Sequence, residues 1–269
     1  MALVSFMLIA DLHMTGFELK DGLVCPRLPA HAWWAVDRRY DIMGYLLPIA
    51  LQQAQTDFKP GFVMFGGDLV DDGFGKYGLG DLTMVRDLAR KHCKGKACFL
   101  YGNHDGPQAQ FEELFGPLNY TFDQGNLRFI VLNTGTMDWE KEEASSRAAI
   151  AHLQESLRTA EGRKVIVIAH QWLYPTDVEG YSMAHADEAL AALEAYPGTV
   201  AVLNGHYHTG KYQEKNGIHY LTAKAFCERP FAYYEYQITA DELVCTEYTL
   251  KPSQQKFIPG QEQRLKLRR

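Results

Sequence analysis

Short apolar runs alternate with stretches of helical period along most of the chain. Residues 3 to 10, 61 to 66, 97 to 101, 127 to 133, 164 to 169 and 200 to 204 are β-branched or aromatic runs of strand length. Between the first two, "DRRYDIMGYLLPIALQQAQ" places Tyr40, Met43, Leu47, Ala50 and Ala54 at steps of three and four, which gives a helix one apolar face. Pro48 conflicts with that reading, since a proline in a helix interior costs about 3 kcal/mol and commonly kinks it. Further helices are predicted near 80 to 92, 143 to 160 and 185 to 195. After residue 210 the period shortens to two in "GIHYLTAKAF", "FAYYEYQIT" and "ELVCTEYTL", with turn signals at Asn216-Gly217 and Ala240-Asp241, so the chain is expected to close with a β-meander. The polar end "QQKFIPGQEQRLKLRR" carries Lys266, Arg268 and Arg269 and reads as a frayed extension over about 251 to 269, a partner contact being the alternative.

The polar residues that interrupt the strand pattern are concentrated where the strands end. Strand one runs into Asp11-Leu12-His13, the next into Gly66-Gly67-Asp68, the third into Gly102-Asn103-His104-Asp105, a later one into His170 and the next into Gly205-His206-Tyr207-His208. In a βαβ succession the carboxyl ends of neighbouring strands converge on one crevice, so groups far apart in sequence can surround one site. The glycines that precede these residues suit sharp turns, where a backbone with φ > 0 carries no Cβ penalty.

Asp11, His13, Asp68, Asn103, His170, His206 and His208 offer carboxylate, amide and imidazole donors but no thiolate. That set suits Mn, Fe(II), Zn or Co and argues against a closed structural zinc site. Seven protein donors are too many for one transition ion that must also hold substrate. If Asp68 bridges, two ions receive four protein donors each and keep room for water and phosphate.

Composition limits the partners. The formal charge of −6 gives no general attraction for the phosphates of a long nucleic acid, so affinity for a small phosphorylated substrate must be local. Two divalent ions, outweighing the two aspartates, would supply it. No run reaches the roughly 20 apolar residues that cross a bilayer, and "MALVSFMLIADLH" lacks the basic start and small-residue cleavage site of a signal peptide. Five cysteines with no CxxC pair read as reduced thiols, which points to a cytoplasmic protein without membrane contact. At 269 residues and 46% hydrophobic, with no linker or repeat, one domain over 1 to 269 is the default, and a homo-oligomer stays open.

The series "DLH", "GGDLVDDG", "GNHD", "AHQ" and "GHYH", from Asp11 to His208, resembles the calcineurin-like metallophosphoesterases, whose strand-end blocks run D-x-H, G-D, G-N-H-[DE], H and G-H-x-H. The resemblance implies an α/β fold, a four-layer α/β/β/α sandwich of two mixed sheets flanked by helices, with two divalent or mixed-valence metal ions at the strand ends. It assigns Asp11, His13, Asp68 and His208 to the first ion, and Asp68, Asn103, His170 and His206 to the second. His104 is then the histidine beside the scissile group, and the carboxylate of Asp71 its orienting partner.

Departures from the pattern bear on substrate. His170 is followed by Gln171-Trp172 where many relatives carry a second histidine and prolines, and Asp72 stands where protein Ser/Thr phosphatases carry an arginine. The expected reaction is hydrolysis of a small phosphodiester by in-line displacement, with phosphomonoesterase and nuclease as enzymatic rivals and a binding scaffold as the non-enzyme alternative. Trp172 and Tyr207, beside ligand positions, are the candidate substrate contacts, with Tyr174 a third. The segment holding Trp33 and Trp34 is a candidate lid, with Arg38 or Arg39 near a phosphate. His31, His92, His152, His185 and His219 fall outside the motif.

Overall fold

A computed structural model describes residues 4–20, 23–28, 37–135, 137, 139–176 and 180–268. The chain runs β1 (Val4–Ile9), a ribbon of β2 (Phe17–Lys20) and β3 (Leu23–Pro26), α1 (Met43–Asp57), β4 (Phe62–Gly66), α2 (Gly78–His92), β5 (Lys96–Leu100) and α3 (Gln108–Phe115). It continues through β6 (Tyr120–Gln124), β7 (Leu127–Leu132), α4 (Trp139–Arg158), β8 (Lys164–Ala169), α5 (Ala186–Ala195), β9 (Thr199–Asn204), β10 (Thr209–Lys215) and β11 (Ile218–Lys224). Three long strands close it, β12 (Ala232–Ile238), β13 (Glu242–Lys251) and β14 (Lys256–Lys266).

Two mixed sheets result, one ordered β14-β13-β12-β1-β4-β5 and the other β10-β11-β9-β8-β7-β6. Within the first, β1, β4 and β5 are parallel, and within the second β7, β8, β9 and β11 are parallel, so the carboxyl ends of each set lie on one side. Parallel strands covered on both faces need apolar residues throughout, and β4 and β9 are buried along their whole length.

Alternation within the strands sorts side chains into layers. Phe6, Leu8, Phe62 and Met64 of the first sheet meet Phe129, Val131, Ile166 and Leu203 of the second in the inner core. There Phe6 stacks on Phe62 (centroids 4.8 Å apart) and meets Phe129 edge-on at 5.6 Å, each buried ring contributing about 1.5–3 kcal/mol. The opposite faces of the same strands, through Met7, Ile9, Val63 and Phe65, pack under α1 and α2, while Val165, Val167 and Val202 pack under α4 and α5. The architecture is thus the four-layer α/β/β/α sandwich.

The predicted apolar face of α1 is buried throughout, and the helix runs through Pro48 to Asp57. Two expectations need correction. The meander after residue 210 is divided: β11 pairs in parallel with β9 in the second sheet, whereas β12 crosses to pair antiparallel with β1 in the first. The polar end is not frayed, because residues 256–266 form an edge strand on β13, and Gln53 of α1 clamps Phe257 through both its main-chain N–H (3.0 Å) and its carbonyl (2.7 Å). An edge strand tolerates Pro259 because only one side of its ladder needs pairing.

Candidate metal centre

The strand ends turn through unusual backbone. Asp11, His13, Asp68, His206 and His208 all have positive φ, between 41° and 70°, a region that non-glycine residues rarely occupy. Such strain persists only where surroundings impose it, and it clusters at functional sites. Here hydrogen bonds impose it: Asp11 and His13 donate their main-chain N–H groups to the carbonyls of Gly67 and Asp68, and His206 donates its own to the Asp11 carboxylate at 3.0 Å. Gly67 has φ of 88°, as expected for a turn glycine, and Gly102 serves close approach instead, since a Cβ there would lie 2.1 Å from the Asp68 nitrogen.

Two groups of donors meet across Asp68. Asp11, His13, Asp68 and His208 place one ligand atom each within 4.8 Å of one another, and so do Asp68, His170 and His206. Asp68 Oδ2 stands 3.5 Å from His13 Nε2 and 3.2 Å from His170 Nε2, while its Oδ1 accepts from the His104 N–H at 2.9 Å. One carboxylate therefore joins both clusters.

Each histidine has one ring nitrogen committed elsewhere. His170 Nδ1 donates to the Gly66 carbonyl (2.9 Å), His206 Nε2 to the Gly180 carbonyl (2.8 Å), His13 Nδ1 to Asp71 Oδ1 (3.0 Å) and His208 Nδ1 to Glu228 Oε1 (2.6 Å). Carbonyl and carboxylate oxygens only accept, so a proton sits on the committed nitrogen, and each ring in its neutral form offers its other lone pair to a metal ion. The Nε2 atoms of His13 and His208 face each other at 3.3 Å, close enough for one cation, a proton or a metal ion, to satisfy both. Asn103 Oδ1 is buried without a hydrogen-bond partner, again a lone pair suited to a cation. The donor set, free of ionised thiol, fits two divalent ions.

Electrostatics agree. Burial opposes ionisation of Asp68, yet His170 and His104 hold its carboxyl well below the usual range. Burial lowers His13 to about 4, against the pull of Asp71, and lowers His206 with help from His170. Burial also opposes charge on His170 and His208, but Asp68 raises the first to about 9, and Asp11 with Glu228 raises the second to about 10. The pocket thus has a potential that recruits positive charge.

The sequence-predicted residues are distributed as follows. Asp11, His13, Asp68, His170, His206 and His208 are brought together, and Asn103 sits between Gly102 and His104 beside them. His104 packs edge-on against His13, with centroids 4.7 Å apart. Its Nδ1 donates to the main-chain carbonyl of Asp71 at 2.7 Å, not to the carboxylate, which corrects the expected pairing. The Asp71 carboxylate instead accepts from His13 and from Arg38 Nη1 at 2.9 Å. Asp105 is buried and accepts from Leu69, Val70 and Gly102, so it ties two ligand loops together rather than capping one turn.

Trp172 is also corrected. It is 2% exposed, its Nε1 donates to Thr222 Oγ1 at 3.0 Å, and its ring packs against Tyr174, Tyr181 and Tyr207. It therefore supports the wall from behind, while half-buried Tyr207 stays at the margin beside Tyr181, whose ring lies 5.6 Å from His206. Arg39 pairs with Asp41, away from the cluster. Trp33, Trp34 and His31, and with them the lid, lie outside the described residues. His92, His152, His185 and His219 bond to Gln52, Thr121, Glu143 and the Lys266 carbonyl.

Sequence reasoning misses Glu228 and Cys227. The Cys227 sulfur lies within 4.8 Å of His13 and His208 nitrogens, and burial keeps its thiol protonated by raising it well above the usual range. Their segment, "FCERPF", carries no motif, so only tertiary packing reveals it.

The sequence model of the calcineurin-like phosphoesterase family matches residues 4–210. No curated protein matches the chain by sequence. A dimetal phosphatase from Danio rerio is similar in structure, with a TM-score of 0.75 at 15% identity over 98% of this chain and 99% of that one. GAP50, the anchor in the inner membrane complex of Plasmodium, aligns at 0.67 and 14% identity over 99% of this chain and 90% of that one. Purple acid phosphatase PPD1 from yellow lupin aligns at 0.60 and 13% identity over 98% of this chain and 54% of that one. No described helix is long and apolar enough to cross a membrane.

Proposed function

The chain belongs to the calcineurin-like phosphoesterase family and is a metal-dependent phosphoester hydrolase, and on that premise we propose that its substrate is a small phosphodiester. The observation that carries the dimetal reading is the position of Asp68 Oδ2 between His13 Nε2 and His170 Nε2, one oxygen common to two donor clusters. Asp11, His13, Asp68 and His208 would hold one ion, and Asp68, Asn103, His170 and His206 the other. Two ions held there would supply Lewis acidity, lowering the pKa of a water and neutralising phosphoryl oxygens.

The chain's own contribution is placement and proton supply. His104 has Nδ1–H committed to the Asp71 carbonyl, so Nε2 is the atom left for the substrate, and with the ring doubly protonated it gives a proton or hydrogen bond to the phosphoryl or leaving oxygen. Its ring is held against His13, which fixes its distance from the first cluster. Tyr207 supplies a half-buried aromatic edge for the substrate's organic part.

Charge favours a diester. A phosphodiester carries one negative charge where a monoester carries up to two, and so needs less cationic clamping. Exposed Asp72 follows Asp71 where protein phosphatases carry an arginine, and the guanidinium of Arg38 is already engaged by Asp71 and Glu228. The test compares turnover of bis-(p-nitrophenyl) phosphate and p-nitrophenyl phosphate with Mn added. The diester is expected to be cleaved faster, and a much faster monoester reaction overturns the substrate class.

A further inference from the structure

Arg38 lies where two carboxylates from distant parts of the chain approach each other. Its Nη1 is 2.9 Å from Asp71 Oδ1, and its Nε is 3.8 Å from Glu228 Oε1. The side chain is 15% exposed and Asp71 is buried. Each acid in turn holds one imidazole of the first cluster, His13 through Asp71 and His208 through Glu228. The two free imidazole nitrogens then meet at 3.3 Å, so His13, Asp71, Arg38, Glu228 and His208 form a closed ring of contacts.

The main chain locks the same ring. Arg38 and Glu228 form an antiparallel bridge, Arg39 donates its N–H to the Cys227 carbonyl at 2.8 Å, and Cys227 donates to the Asp11 carbonyl at 3.1 Å. Arg38 is therefore anchored to the end of β1, where the ligand Asp11 sits. Its guanidinium adjoins His13 Nδ1 at 3.2 Å, while the ligand face of that ring is Nε2. It stands behind the ligand, not beside the reacting atoms.

We propose that Arg38 is a positioning residue for the first metal cluster: its guanidinium ties Asp71 to Glu228 and so holds His13 and His208 with both Nε2 atoms directed at one point. The chemistry calls for arginine, because a planar fork with five fixed donors can span two acids, whereas a lysine offers one point charge. The inference rests on the dimetal reading above.

The test is isothermal titration calorimetry of the full metal-free chain with Mn²⁺, for the wild type, Arg38→Lys and Arg38→Met, with a thermal melt of each. The wild type is expected to bind two ions. Arg38→Lys keeps the charge but loses the fork, and is expected to weaken one ion by about 10- to 100-fold, the usual effect of removing an outer partner of a metal ligand, while the other stays within about twofold. Wild-type affinity for both ions in Arg38→Lys overturns the proposal. So does tighter binding in Arg38→Met, because a purely electrostatic role makes deletion of a nearby cation favour metal. Equal loss of both ions with a lowered melt assigns Arg38 to general stability and also overturns it. A wild type that fails to take up two ions refutes the dimetal reading itself. Should Arg38→Met not fold, Arg38→Lys alone decides.

Discussion

Gly102→Ala tests how closely the loop after β5 must approach Asp68, the aspartate common to both donor clusters. An added Cβ would stand 2.1 Å from the Asp68 main-chain nitrogen, 2.3 Å from Asp68 Oδ1 and 2.9 Å from its Cα. Unstrained heavy-atom contacts are about 3.5–4.0 Å, so the two loops must part by about 1 Å or more. They cannot part freely, because Asp105 bonds at once to Gly102 on one loop and to Leu69 and Val70 on the other. Overpacking of this kind costs about 1–3 kcal/mol, and at about 2–4 °C per kcal/mol for a chain of this size the melting temperature should fall by about 2–12 °C. Turnover should fall further in proportion, since misplacing a reacting group by about 1 Å costs about a hundredfold. Gly80→Ala is the control: nothing lies within 4 Å of its added Cβ, so it should gain about 0.5–1 kcal/mol from helix propensity and keep full turnover. Melts followed by circular dichroism and Mn-dependent cleavage of p-nitrophenyl esters read both quantities. A Gly102→Ala protein matching the wild type in melt and turnover refutes the argument.

Asn103→Ala and His206→Ala should each abolish turnover while leaving the circular dichroism spectrum unchanged, because each removes one donor lone pair and no core contact; retained turnover removes that residue from the ligand set. His104→Ala should slow hydrolysis by about 10²- to 10⁴-fold with both Mn ions still bound, as counted by elemental analysis, and loss of metal would show it to be a ligand instead. Away from the site, burial pushes the Glu235 carboxyl from 4.5 up to about 7, against a hydrogen bond from Tyr248. The folded chain then binds more protons than the unfolded one between those values, so urea melts should show stability falling as pH rises from about 4.5 to about 7 and levelling beyond. Glu235→Gln should flatten that slope, and an unaltered slope shows that other groups set it.

The parts of the molecule legible in sequence are those whose physics is local. A β-branched or aromatic run and a cluster of metal-ligand residue types follow one another within a dozen residues at Asp11, Asp68, Asn103 and His206, with a glycine between them in the last three, so each block declares both its strand and its outlet. Strand β14 has no such signature. It holds Pro259, Gly260 and several charges, and buries chiefly Phe257 and Leu265, since an edge strand draws its stability from one ladder and, here, from Gln53. Glu228 and Arg38 are illegible for a related reason: residues 38 and 228 meet only because β12 returns to pair with β1, and neither segment alone implies the other. Asp71 shows a third limit. A motif records which residue stands beside His104 but not which of its atoms, and the atom decides the chemistry. A main-chain carbonyl fixes the His104 tautomer and orientation without placing an anion against the ring, whereas the charge of the Asp71 carboxylate is directed at His13 and Arg38. Replacement of the Asp71 side chain should therefore act first on His13, the proposed metal ligand, and on His104 only through the backbone that the two share.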